Sequence, residues 1–410
     1  MSTLREPVAR DPRLIEEEPG LKGAWTAWRR RLSQGELGSL PVVVGLALIW
    51  FIFYVANPRF LSPGNLTNLM LQIAAMGTIS AGIVLVLLLG EIDLSAGVVS
   101  GLSAAVMAIL SVKQGWPAVP ALLAGLATGA AVGAFHGLWI TRLRVPSFVV
   151  TLAGFLGWQG ALLHVLGETG TVNLLDDVII GLAGTFFPPP LAWAVTLVAL
   201  AVHCSVILLG RRRRVAAGLY VPPWRTDLMR LVVPSVVLVA ATTVFTLDRG
   251  MPLAVLLFVG IVLVLDLMLW NSRFGRHTFA VGGNAEAARR AGIPVQRVRV
   301  LIYMLASMLA AAGGILAGSR LMAVNQSSGS GDVLLNSIAA AVIGGTSLFG
   351  GRGSAWSAVL GALVIGSISN GMDLLALSSS VKFMVTGGVL LVAASVDAIS
   401  RKGRQASGRA

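Results

Sequence analysis

The feature that most constrains this chain is a succession of long, almost uncharged apolar segments, such as "LPVVVGLALIWFIFYVA" (40–56) and "LAVLLFVGIVLVLDLMLW" (253–270). About 17–25 apolar residues, wound as a helix, bond their own backbone groups and reach across the hydrocarbon core of a bilayer. Many such runs in one chain leave no room for a soluble domain of any size. Charge points the same way. Only 12% of the 410 residues are charged, against about 25% in soluble domains, and the mean hydropathy is +0.83. The class that follows is an all-α integral membrane protein with about 10–12 transmembrane helices. Twelve stretches qualify: 38–56, 66–89, 95–112, 117–140, 146–166, 190–209, 231–247, 252–270, 298–319, 333–350, 354–372 and 380–399.

The net charge of +13 does not call for a nucleic-acid partner. The basic residues lie in the linkers, and only four of the 31 are lysine. Under the positive-inside rule that pattern sets orientation. With the N-terminus inside, the inside segments are 1–37, 90–94, 141–145, 210–230, 271–297, 351–353 and the tail 401–410. These segments, with the span edges beside them, hold 26 of the 31 basic residues. Outside lie Arg59, Lys113, Arg249, Arg320 and Lys382. Both termini are then cytoplasmic. The polar first 36 residues have no apolar core of signal-peptide type. Leu21, Trp25, Trp28 and Leu32 share a helical face beside Arg29, Arg30 and Arg31. That pattern fits a helix lying on membrane lipid or a basic tail.

Several chemistries are missing. No lysine sits in a phosphate-binding loop of the G-x-x-x-x-G-K-[ST] type, so the chain does not bind ATP that way. Ion-driven transporters usually carry ionisable residues inside their spans. Here Asp266, His136, His164 and His203 read as interfacial or packed residues. The lone Cys204 excludes an internal disulfide and a cysteine-based zinc site, and four scattered histidines make no metal centre. A transporter with no energy source of its own suggests an external motor; a secondary transporter or channel working alone is the other reading.

That motor needs a contact, and "VGGNAEAARRAGIP" (281–294) offers one. Asn284 is a good N-cap. Glu286 in the first turn and Arg289 and Arg290 in the last suit the helix dipole. Gly292 suits a left-handed stop, and Pro294 blocks continuation. The spacing predicts a two-turn helix over 285–291. A helix this short is marginal in water, so it must dock on its own bundle or on a partner.

At these residues the chain resembles the permeases of monosaccharide ABC importers, the ribose/xylose type. Glu286, Ala287 and Ala288, followed by Gly292, resemble the coupling motif of bacterial ABC importers. "LLLGEIDLSAGVVSGLSA" (87–104), "VPSFVVTLAG" (145–154), "SIAAAVIGGTSLFGGRGS" (337–354) and "ISNGMDLL" (368–375) resemble further family segments, in order. Residues 170–270 depart from simple members. They hold three spans where one is expected, an insertion expected of the xylose-like branch.

The resemblance implies a type II, vitamin B12-importer-like architecture in one permease domain (38–400), with loose inverted repeats. It implies a second permease copy, two cytoplasmic ATPase subunits that carry the ATP and Mg, and a periplasmic or lipid-anchored sugar-binding protein. This chain itself then needs no cofactor and has no catalytic residue. Residues 284–292 would enter a cleft on the ATPase, with Arg289 and Arg290 facing either that subunit or lipid headgroups. For the translocation path or gate, Asp93 beside Ser95 either caps the third span or faces the pathway. Asn325, Gln326, Asp332 and Asn336 mark an outer gate or a binding-protein contact.

Overall fold

Each of the twelve apolar stretches contains a helix, and eleven are helical over nearly all of their length, because a backbone in hydrocarbon must bond within its own segment. The computed structural model describes residues 40–406 apart from 169, 220 and 222; the face Leu21–Trp25–Trp28–Leu32 lies outside the described residues. In order the elements are α1 Leu40–Ala56, α2 Pro63–Leu88, α3 Ala96–Ala108, α4 Ala118–Arg142, α5 Ser147–Leu166, β1 Thr171–Asn173, α6 Asp177–Gly184, β2 Phe186–Phe187, α7 Pro189–Ala216 and α8 Trp224–Thr246. There follow β3 Met251–Pro252, α9 Leu253–Asn271, α10 Arg273–Gly283, α11 Ala285–Arg290, α12 Val295–Leu321, β4 Ala323–Asn325, α13 Gly331–Ile343, α14 Trp356–Leu374 and α15 Ser379–Ala406. Helix α3 continues as a π-helical turn to Lys113. Among the described residues, nine helices are long and apolar enough to cross a membrane, and Pro41–Ala56, Asp332–Ile343 and Ser379–Val392 are shorter apolar runs.

The core is a central pair, α2 and α12. Gly82 lies against Ala306 and Gly313 against Ala75, so the two run antiparallel. Helix α4 packs on the other side of α12 through a seam of glycines four residues apart. A Cβ on Gly129 would lie 2.5 Å from the Ser307 carbonyl oxygen, and one on Gly133 2.2 Å from that of Tyr303. With no hydrophobic effect between helices in lipid, close backbone approach is what holds such a pair.

Helix α14 closes on α1 and α2 through polar contacts. Trp50 Nε1 donates to Ser367 Oγ at 2.9 Å. Asn65 and Asn370 exchange amide hydrogen bonds at 2.8 and 3.1 Å. The hairpin α7–α8, by contrast, stands at the edge, with only 11% of each apolar window buried. Thr196 and Thr242 join its helices at 2.7 Å, and the short β2–β3 pair ties one end to α9. This hairpin and α9 are the three spans of the 170–270 region.

The stretch 333–350 does not form a span. Its helix, α13, has 13 residues and rises about 20 Å, short of a hydrocarbon core of about 30 Å. Gly344 and Gly345 end it, Gly345 with φ +104°, and the chain continues irregularly to 355. The first interruption along the chain is 89–95, which separates α2 from α3.

Candidate functional site

Helix α11 forms as its end signals specify. Asn284 is extended (φ −160°, ψ 101°), and its side-chain oxygen accepts from the Ala287 N–H at 2.9 Å. At the other end Gly292 N–H bonds the Arg289 carbonyl and Ile293 N–H bonds that of Ala288, each at 3.0 Å. This is the Schellman arrangement, and the φ of +81° at Gly292 is why a glycine stands there. The helix ends at Arg290, one residue sooner than the spacing predicts.

The helix has two unlike faces. Ala288 is buried in the main core, flanked by Ala285, Ile293 and Val295. Asn284, Glu286, Ala287, Arg289, Arg290 and Gly292 are exposed. Glu286 pairs with both Arg289 and Arg290. Behind it, α10 is wedged in place: a Cβ on Gly282 would lie 1.7 Å from the Leu88 carbonyl oxygen and 2.7 Å from the Gly351 nitrogen. The helix therefore sits rigidly on the end of α2 and on the irregular segment after α13. Ala288 thereby joins the main core of the bundle, a burial that the end signals of the helix do not specify.

The first interruption gathers ionisable side chains. Asp93 is buried; its Oδ1 accepts from the Ser95 N–H (2.8 Å) and Oγ (2.6 Å), while Oδ2 has no partner. One oxygen thus pins the turn that enters α3, and the other is spare. Ser95 Oγ lies 3.5 Å from His136 Nδ1, and Trp158 Nε1 donates to His136 Nε2 at 2.9 Å. With Nε2 accepting, Nδ1 carries the proton of the neutral ring. Two residues earlier, Glu91 Oε1 lies 2.7 Å from Arg299 Nε, and Tyr303 donates to Glu91 Oε2 at 3.0 Å. The Arg299 Nε–H is not aimed at the carboxylate, so their attraction is Coulombic. Burial pushes the Glu91 carboxyl above its usual 4.5, and Arg299 and Tyr303 pull the other way.

Glu91, Arg299 and Tyr303 escape a reading of the sequence that treats the spans as almost clean. His136, read from the sequence as interfacial or packed, is packed: it is fully buried in this network. The signal was present in "GEIDLS", whose glutamate precedes the aspartate by two positions, and in an arginine just inside the α12 span. A cavity of about 840 Å³ joins this network to α11; Glu91, Arg144, Arg297 and Arg299 line one part and Glu286 and Arg289 another.

Segment 323–330, between α12 and α13, lies at the opposite end of α12 from α11. Strand β4 pairs antiparallel with β1, Asn325 opposite Thr171. Asn325 is half-buried and its Oδ1 accepts from the Ser327 N–H at 2.9 Å. Gln326 is exposed, and its N–H reaches the Gly170 carbonyl. Asp332 is exposed and accepts from Ser330, and Asn336 is half-buried in α13. The turn between them reaches inward: a Cβ on Gly101 would lie 2.0 Å from the Ser328 carbonyl oxygen, and one on Gly97 2.8 Å from that of Gly329. After α13 the chain meets the first interruption again, Phe349 against Gly90. Segments 344–355 and 89–95 thus touch by backbone, yet no hydrogen bond among the described residues joins Asp93 or Ser95 to Asn325, Gln326, Asp332 or Asn336.

Known proteins resemble this sequence. Residues 65–394 match the family described as branched-chain amino acid transport system / permease component. The xylose transport system permease protein XylH of Escherichia coli K12 is 34% identical over 357 residues, covering 87% of this chain and 90% of that one. XylH of Haemophilus influenzae is 35% identical over 88% of this chain and 96% of its own. The ribose import permease protein RbsC of Bacillus subtilis is 32% identical over 91% of this chain and 96% of its own. No solved structure matches. With a multi-pass helical bundle and a family match over residues 65–394, the chain belongs to this permease family of membrane transporters.

Proposed function

We propose that this chain is the transmembrane permease subunit of an ABC importer that brings a monosaccharide, xylose or a similar sugar, into the cytoplasm by alternating access. The observation that carries this reading is α11: capped at both ends, held by Ala288 on one side and exposed on the other. A rigid helix with one free face transmits a rigid-body shift, which a loose loop cannot. The names of the relatives, xylose and ribose permeases, support the substrate class.

In this reading ATP and Mg are bound by two separate cytoplasmic ATPase subunits, whose closure moves residues 284–292. Two copies of the chain form the pore, and a periplasmic or lipid-anchored binding protein delivers the sugar. Both termini and α11 face the cytoplasm of the bacterial inner membrane. Segment 323–336 faces the binding protein as an outer gate, and Asp93 and Ser95 line the path. The chain carries out no reaction.

The test is co-purification. Expressed with its ATPase, the wild-type chain should bring the ATPase through membrane extraction. Deletion of 285–291, or Glu286→Arg, should abolish association and sugar uptake while the protein still inserts. Unchanged assembly in these variants, or uptake by liposomes lacking any ATPase, would overturn the proposal.

A further inference from the structure

The edge hairpin contains a site that coupling does not use. Helix α7 has 28 residues and rises about 42 Å, so its last turns pass beyond the hydrocarbon core into the headgroup layer. There Arg211 and Arg214 face Asp227 and Arg230 of α8 across a cavity of about 150 Å³. Asp227 is buried and paired with Arg211, so the one carboxylate is already engaged. Three guanidiniums and one carboxylate leave the cavity with a net charge of +2. The Arg211 guanidinium also lies 5.3 Å from the ring centre of Trp224, a half-exposed side chain of the kind that marks a membrane interface. Away from the charged end, the hairpin presents exposed aliphatic side chains, among them Val202, Val206, Val233 and Val237.

We propose that this cavity binds the headgroup of an anionic phospholipid, its phosphate among Arg211, Arg214 and Arg230 and its acyl chains along the aliphatic face of α7 and α8. Charge complementarity selects the occupant. Planar guanidinium forks match phosphate oxygens in pairs, and a cavity of this size admits a phosphodiester with a small alcohol. Basic pockets between transmembrane helices suit anionic headgroups for the same reason. The continuous aliphatic surface beside the cavity favours a lipid over a free anion. Arg212 and Arg213 are exposed on the same turns but do not line the cavity, so the site is defined by geometry and not by the run of charge alone.

Native mass spectrometry of the full-length protein tests this, with phosphatidylglycerol and phosphatidylcholine of identical chains as probes. The wild type should retain phosphatidylglycerol about tenfold better, and Arg214→Gln with Arg230→Gln should remove most of that preference. Arg212→Gln with Arg213→Gln removes the same charge and should leave it intact. Equal retention of both lipids, equal loss in both double variants, or displacement by millimolar inorganic phosphate would each overturn the proposal. On the unmodified protein, a photoactivatable phosphatidylglycerol should label peptides within 206–230; labelling confined to other peptides would also overturn it.

Discussion

At the scale of single residues, the informative departure is the ionisable group next to the first interruption. A buried carboxylate whose titration is pushed upward disfavours the folded state when ionised. Glu91 holds its proton in the folded protein at pH values where an unfolded chain has already released it. Stability is therefore lost as pH rises through the interval above 4.5. Relative to Glu91→Gln, the wild-type melting temperature should fall across that interval; parallel curves would mean that the ion pair with Arg299 fully offsets burial. The same logic explains why a sequence reading overlooks this residue. Glu91 lies between two spans and looks like an exposed linker charge. Only the fold places Arg299 and Tyr303 of α12 against it. Asn284 and Gly292 were legible because capping is local chemistry, complete within a few residues of chain.

At the scale of elements, the glycine seam of α4 sets a clear test. A methyl group on Gly133 would meet the Tyr303 backbone, which cannot give way as a flexible side chain can. Gly133→Ala should cost about 1–3 kcal/mol, the usual penalty for overpacking. Gly157→Ala on α5 meets nothing within 4 Å and should be neutral or stabilise by up to about 1 kcal/mol, the helix-propensity difference. Thermal unfolding in detergent distinguishes the two; equal effects would deny the seam its role. The elements themselves were readable from hydropathy, since a hydrophobic stretch in lipid has little choice but to be a helix. The tenth stretch misleads for a physical reason. The sequence stays uncharged through 344–350, but Gly345 and Gly350, both at positive φ, let the backbone leave the helix, and neighbouring protein satisfies it in place of lipid. The chain's Gly351 N–H, for instance, bonds the Leu88 carbonyl at 2.9 Å.

At the scale of the whole molecule, segment 89–95 meets the start of α12 through Glu91 with Arg299 and Tyr303, and the β1–β4 pair stands at the other end of α12, away from α11. In the proposed alternating-access cycle these ends open in turn. A disulfide between Val172→Cys and Val324→Cys, directly opposed in that pair and placed in a Cys204→Ser background, should stop uptake without releasing the ATPase. Uptake unaffected by the oxidised bond would show that this end does not open. The clasp between α1, α2 and α14 has a consequence for manufacture. Asn65 enters the membrane some 300 residues before Asn370, its amide partner, is made. Until the ribosome has nearly finished, the Asn65 side-chain oxygen and the indole of Trp50 lack these partners, although Asn65 Nδ2 can still donate to the Phe60 carbonyl, and they invite water, lipid headgroups or proteases. A chain truncated before α14 is thus marked for disposal by its own unmatched polar groups, and only a finished one can hide them.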